Sequence, residues 1–284
     1  KHSFSLSTQR HNSSRQFKNH NIVMHIRINP ETCIQCGSCV AVCPASIFRQ
    51  SAPHTPVTVE REEVCIKCGH CVDVCPTNSI DHELFPLERL HEIDYQQMPS
   101  PEQLMNLIHA RRSNRTFLKK EVPASSVAMM REAALYAPTA GNNQMVELNV
   151  VSDPDRIIDI IRFTIDTLGE HLDILGPKYA GVVRGARQAF GHGKDVILRG
   201  APYVMVFASN HSFGAADCNL AYQNASLMAQ SLGVSQFYMG FVMTATALAD
   251  PERVKELFGV SQKVQALMAF GMPRLRYKRY AERG

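Results

Sequence analysis

Cys33-Ile34-Gln35-Cys36-Gly37-Ser38-Cys39-Val40-Ala41-Val42-Cys43-Pro44 returns 32 positions later as Cys65-Ile66-Lys67-Cys68-Gly69-His70-Cys71-Val72-Asp73-Val74-Cys75-Pro76. Nine of the twelve positions are identical, so the stretch is an internal repeat. Each copy has the spacing C-x2-C-x2-C-x3-C-P. Eight thiolates in that order can hold two 4Fe–4S cubanes, and a chain that builds two cubanes moves electrons one at a time. Two structural zinc sites are the alternative. Zinc sites, however, usually pair C-x2-C units and do not place three close cysteines ahead of a Cys-Pro.

This spacing is similar to that of bacterial two-cluster ferredoxins, and the resemblance implies crossed ligation. Cys33, Cys36 and Cys39 would share the first cluster with Cys75. Cys65, Cys68 and Cys71 would share the second with Cys43. Gly37 and Gly69 are expected to let the backbone pass close to sulfide without a Cβ. Pro44 and Pro76 break each run after its last cysteine. Ile47 and Ile80 follow each Cys-Pro within about one helical turn and are expected to shield the clusters.

Composition sets the surroundings. With eight of nine cysteines assigned to clusters, a disulfide framework is not expected. Open cubanes favour a reducing interior, so a cytoplasmic setting is expected. The ninth, Cys218, lies among Ala215, Ala216, Leu220 and Ala221 and reads as a buried core thiol. No apolar stretch approaches the ~20 residues of a membrane helix, and no helix-turn-helix pattern is found, so neither a membrane nor a nucleic-acid partner is expected. The net charge of +4 is carried by Lys1, Arg10, Arg15 and Lys18, and the rest of the chain balances. Residues 1–23 are rich in Ser, His and Asn and read as a disordered or non-native extension ahead of a start at Met24. Their Arg- and Ser-rich, acid-poor character faintly suggests a transit peptide.

The remainder divides into a cluster domain over 24–82, a linker over 83–100 with irregular Pro spacing, and a second domain over 101–284. Pro56–Glu60 alternates like a short strand. In the second domain, helices are expected over 101–111 with Leu104, Leu107 and Ile108 on one face, and over 123–137 with Val127, Met130, Ala134 and Leu135 inward. Further helices are expected from Asp153-Pro154 to about Leu168, over 215–232 and over 251–258. Strands are expected over 147–152, 203–209, 235–241 and 264–271. Strands separated by long helices indicate a layered arrangement, and the whole chain reads as α+β.

Four separated segments of the second domain carry a resemblance to the FMN-dependent nitroreductase family. Arg111-Arg112-Ser113-Asn114-Arg115-Thr116-Phe117 resembles its opening Arg-Arg-Ser-x-Arg-x-Phe. Ala137-Pro138-Thr139-Ala140-Gly141-Asn142-Asn143-Gln144 resembles its Ala-Pro-Ser-x-x-Asn-x-Gln. Leu232-Gly233 with Gln236–Gly240 resembles the helix-then-strand element that passes the flavin ring. Phe270–Arg279 resembles the closing strand and basic tail. Met145-Val146 stand where the family often has Pro-Trp, and the chain has no Trp.

A flavin phosphate needs guanidinium forks. Arg111, Arg115 and a tail with five basic residues against Glu282 supply them; a solvated helix end and a free charged terminus are the plainer readings. Ser113 adds a hydroxyl, and Asn142, Asn143 and Gln144 offer amides to the ring edge. The resemblance implies cofactor contacts from Arg111, Arg112, Ser113, Arg115, Pro138, Thr139, Asn142, Gln144, Arg276 and Arg279. It also implies that backbone amides near Met239 and Gly240 approach flavin N5. No protein side chain is assigned as a catalytic residue, because the flavin carries the chemistry. Gly191-His192-Gly193-Lys194 lacks the full phosphate-loop spacing and reads as a loop, with His192 as a candidate for the substrate pocket. His211 and Asp217 are given surface roles.

The chain as a whole resembles ferredoxin–nitroreductase fusions. The resemblance implies an iron–sulfur flavoprotein oxidoreductase with two 4Fe–4S clusters and FMN, fed by ferredoxin or NAD(P)H. It would reduce a small acceptor such as a nitroaromatic, quinone or flavin, and work as a homodimer. An electron-transfer module without a substrate of its own, or a redox sensor, is the alternative.

Overall fold

The computed structural model describes residues 25–283, so the expected extension over 1–23 and the start at Met24 lie outside the described residues. The chain forms two compact units, the first ending at Ile93 and the second beginning at Asp94.

In the first unit β1 (Ile26–Ile28) is followed by α1 (Ser38–Val42), β2 (Phe48–Gln50), β3 (Val57–Val59), α2 (His70–Val74) and β4 (Ile80–His82). β1 pairs antiparallel with β4, setting Ile28 opposite Ile80, and β2 pairs antiparallel with β3, setting Phe48 opposite Val59. α1 packs on α2. A small core of Ile26, Ile47, Phe48, Val57, Val72 and Ile80 includes the thiols of Cys39 and Cys71. The two isoleucines expected beside the cysteines are therefore buried.

The second unit runs α3 (Pro101–Ala110), α4 (Ala124–Leu135), β5 (Glu147–Val151), α5 (Pro154–Glu170), α6 (Leu172–Leu175), α7 (Pro177–Gly191), β6 (Tyr203–Ala208), α8 (Gly214–Ser231), β7 (Ser235–Tyr238), α9 (Gly240–Leu248), α10 (Pro251–Phe258) and β8 (Val264–Gly271). Its sheet has the order β5-β6-β8-β7, with every pair antiparallel. Helices cover both faces. Along β6, Val204, Val206 and Ala208 enter one core with α5, α7, α9 and α10, while Met205 and Phe207 enter the other with α4 and α8. Burial on both sides explains why these strands read as continuous apolar runs and do not alternate with polar residues.

Two expectations are corrected. The strand over 235–241 ends at Tyr238, and Gly240 opens α9; a short apolar run has no periodicity that separates strand from helix. α7 fills a stretch for which no element was expected, the expected loop follows it from His192 to Lys194, and His192 is exposed. Leu135 is 60% exposed, because one residue past buried Ala134 rotates it off the packed face. In α3 no residue is buried, and Leu104 and Ile108 lie open.

Candidate functional site

In the first unit the sequence repeat is also a repeat of backbone conformation. Gln35, Gly37 and Ser46 have φ of 57°, 74° and 52°, and Lys67, Gly69 and Asn78, each 32 positions on, have 57°, 78° and 51°. Left-handed backbone favours glycine at 37 and 69. The neighbours a Cβ would meet there are the protein's own: Gln50 Oε1 at 2.6 Å from Gly37, and Asp73 and Phe85 at 3.5 and 3.6 Å from Gly69. Ser46 and Asn78 turn the chain so that the next N–H donates back to the last cysteine of each run. Ile47 N lies 3.5 Å from Cys43 Sγ, and Ser79 N lies 3.2 Å from Cys75 Sγ.

The turns bring Cys43 to Cys65, Cys68 and Cys71 around a hollow of about 300 Å³, part of it open to solvent, with Ile47 and His82 on its walls. Across the unit, Cys75 and Cys33 lie close enough to raise the Cys39 thiol by charge, after burial as the larger cause. Among the described residues no three His, Cys, Asp or Glu groups close to the spacing of a single ion. Burial, followed by the charges of Cys65, Cys68 and Cys43, pushes the Cys71 thiol up to about 12. Burial likewise raises Cys65. Metal binding requires deprotonated sulfur ligands, and a set of four converging cysteines fits a 4Fe–4S cluster. At Cys75 burial raises the thiol, but N–H and hydroxyl donors from Ser79 and Thr77 outweigh it and the net shift is downward. His82, which motif reading missed, is 1% exposed, and its Nε2 lies 3.8 Å from Cys65 Sγ.

In the second unit, three of the four distant segments are laced together. Asn114 N donates to Gln236 O at 3.1 Å, and Ser113 forms a parallel bridge with Gln236 of β7. Asn114 Nδ2 donates to Leu275 O at 2.7 Å, while its Oδ1 accepts from Thr116 N and Oγ1. Arg274 N donates to Thr116 O, and Phe117 bridges Pro273. The run 111–117 is thus held between β7 and the tail. Asn114 was absent from the expected site, yet it is the buried residue that joins these segments.

The basic groups take different places. Arg115 Cζ stands 5.3 Å over the Phe237 ring, and Arg112 Cζ stands 6.0 Å from the Tyr277 ring centroid. The charges of Arg111 and Arg115 both reach the phenol of Tyr222, where burial, the larger cause, drives the net shift upward. A Cβ on Gly233 would lie 3.2 Å from Arg276 Nη2, so that guanidinium crosses the Gly233 turn. Arg279 is exposed in the tail.

The fourth segment ends α4 in a tight loop. Gly141, Asn142 and Gln144 have φ of 58°, 53° and 50°. Gln144 N donates to Thr139 Oγ1 at 3.0 Å, so the Thr139 hydroxyl closes the loop; Pro138 is exposed beside it. Asp217, 2% exposed, braces the loop from α8, accepting from Ala140 N at 3.0 Å and Asn143 Nδ2 at 2.9 Å. The surface role given to Asp217 is therefore wrong. His211 Nδ1 lies 3.9 Å from the same carboxylate and accepts from Phe213 N. Five residues along α8, about 7.5 Å of helix, Tyr222 donates to Gln236 Oε1 at 2.6 Å, and Gln236 Nε2 donates to Ser226 Oγ at 2.8 Å. One helix so braces both the loop and β7.

Met239 is engaged by its own neighbours. Its N–H donates to Leu267 O, its carbonyl accepts from Met243 N, and its side chain is 2% exposed. The residue supports the turn. Gly240 is the first residue of α9, so its N–H has no partner within that helix.

Residues 108–272, more than half of the sequence, match the Nitroreductase family. The chain belongs to the nitroreductase family. Ahead of that region, residues 32–80 match the 4Fe-4S dicluster domain, so this nitroreductase carries a ferredoxin-type domain at its front. Comparison with curated proteins gives no match. Among solved structures, a nitroreductase with bound FMN from Bacteroides fragilis is 22% identical, with 64% of this chain and 96% of that one covered and a TM-score of 0.53. A nitroreductase with bound FMN from Desulfitobacterium hafniense is 19% identical, with 63% and 93% covered and a TM-score of 0.52. At these identities the likeness is one of fold. No helix among the described residues is long and apolar enough to cross a membrane.

Proposed function

We propose that this nitroreductase-family protein is an FMN-dependent oxidoreductase whose two 4Fe–4S clusters exchange single electrons with the flavin, and that it reduces a small acceptor of the nitroaromatic, quinone or flavin class. The observation that carries this reading is the presence, in one chain, of a 4Fe-4S dicluster domain with a hollow lined by four cysteines and of a laced basic segment on a nitroreductase fold. FMN, when bound, supplies the step between one-electron carriers and a two-electron acceptor.

The chain's own residues bind and orient. Arg111, Arg115 and Arg276 provide guanidinium forks for the phosphate, with Ser113 beside them. Asn142 and Gln144 present amides from a loop that Asp217 fixes. The Gly240 N–H would supply polarity toward a bound flavin ring without adding a titrating group. Cys33, Cys36, Cys39 and Cys75 hold one cluster, and Cys65, Cys68, Cys71 and Cys43 the other. Ferredoxin or NAD(P)H is the donor, two copies of the chain pair as a homodimer, and the setting is cytoplasmic.

The test is anaerobic purification of the full chain, quantification of iron, sulfide and flavin, and rapid mixing with reduced ferredoxin or NAD(P)H. About eight iron and eight sulfide per chain, one FMN, and flavin reduction that follows cluster reduction are expected. Clusters that become reduced while the flavin stays oxidised, with acceptor present, would overturn the relay.

A further inference from the structure

The two cysteine sites come from one repeated motif, but the repeat does not copy every neighbour of the sulfurs. Position 50 in the first copy corresponds to position 82 in the second. Gln50 turns away from the cysteines, and its Nε2 donates to Gln35 O at 2.9 Å and Thr55 O at 2.8 Å. His82 does the opposite. Its Nδ1 accepts from Leu84 N at 3.2 Å, which leaves the imidazole proton on Nε2, and Nε2 lies 3.8 Å from Cys65 Sγ. The ring is buried, is tilted on Phe85 with centroids 4.8 Å apart, and lines the same hollow as Cys43, Cys65, Cys68 and Cys71. A thiolate offers only acceptor lone pairs, so Nε2–H is the donor in this contact. Hydrogen bonds to cysteine sulfur stabilise the more negative, reduced state of a cluster and raise its potential.

We propose that His82 is a positioning residue that sets the reduction potential of the second cluster alone, by a buried imidazole Nε2–H···Sγ bond to Cys65 whose repeat counterpart, Gln50, faces away from the first cluster's sulfurs. The bond operates with the imidazole neutral. The inference rests on the ligand assignment above. The first cluster carries hydroxyls instead of an imidazole: Ser38 Oγ lies 3.3 Å from Cys36 Sγ, and Thr77 Oγ1 lies 3.8 Å from Cys75 Sγ, where its counterpart Ala45 has no donor.

The experiment is an EPR-monitored redox titration of the full, reconstituted protein. His82→Asn keeps an acceptor near Leu84 N but is too short to reach Cys65; His82→Gln reaches the sulfur with an amide N–H. Asn is expected to lower one cluster's potential and leave the other in place, and Gln is expected to restore most of the shift. Thr77→Val is expected to lower the other cluster instead. Unmoved potentials in the Asn variant at full iron content, or equal movement of both clusters, would overturn the proposal. Should the Asn variant lose iron, the wild-type protein with 15N-histidine answers by pulsed EPR. A histidine nitrogen coupling to a reduced cluster is expected, and its absence overturns the contact. Wild-type iron far from eight per chain would instead overturn the ligand assignment itself.

Discussion

At the scale of single residues, charge and burial make opposite kinds of commitment. Arg115 is exposed, lies on the Phe237 face and donates to Ser113 O at 3.3 Å, so its fork is held close to the segment proposed for the phosphate. Arg115→Ala is expected to weaken FMN retention by about 1.5–3 kcal/mol, the scale of a charged hydrogen bond; flavin affinity measured by fluorescence would remove Arg115 from the site if it stayed unchanged. Cys218 is fully buried, and burial followed by the Asp217 charge pushes its thiol up to about 12. A raised pKa keeps the thiol protonated at every pH below that value. Cys218 in the native protein is therefore expected to resist alkylation at pH 8 and to react only after denaturation, as peptide mass mapping can show. The dicluster motif was legible because its cysteine spacing is itself a coordination pattern. Asp217, Asn114 and His82 were not, because each acts on a partner 74 to 161, or 17, positions away that only the fold brings near.

At the scale of elements, the outcome depended on whether a local pattern had one solution. Capped helices did: Asp153 caps α5, Asp250 caps α10, and Ser100 with Gln103 forms a capping box at α3. α9 had none of these signals; Met239 at its start makes no side-chain cap, and its apolar sequence continues from β7 without a break. α7 was missed because Gly181, Gly185 and Gly191 lower helix propensity along it. The paired turns in the cluster unit offer a comparison between near-equal elements. Gly37→Ala and Gly69→Ala both force a left-handed alanine, at about 1–2 kcal/mol each. Only the first also pushes on Gln50 Oε1, whose side chain is anchored by two hydrogen bonds. Gly37→Ala is expected to lose iron faster under a chelator than Gly69→Ala; equal rates would mean that Gln50 yields freely.

At the scale of the whole molecule, the unit that starts at Asp94 has its own sheet and two cores. A chain beginning there is expected to keep FMN and turnover driven by hydride or a chemical reductant, and to lose turnover driven by reduced ferredoxin. Retained ferredoxin-driven activity would place electron entry at the flavin and leave the clusters outside the route. The division into a cysteine-rich head and a layered α+β body was plain in the sequence, since the two parts differ in composition and periodicity. The pairing of β5, β6, β8 and β7 was not, because antiparallel register between strands so far apart leaves no local mark.

The interleaving of the two cysteine runs bears on how the protein is made. Cys43 stands with the later run, and Cys75 with the earlier one. On the proposed ligand assignment neither half of the repeat owns a complete set of ligands, so a nascent chain emerging only as far as Pro44 would have nowhere to lodge a finished cluster. Insertion has to wait for translation of the second half. Thereafter each inserted cluster pins the ligand loop of its neighbour, which favours an all-or-none population. Native mass spectra taken during reconstitution are expected to show empty and doubly filled chains, with few singly filled ones between.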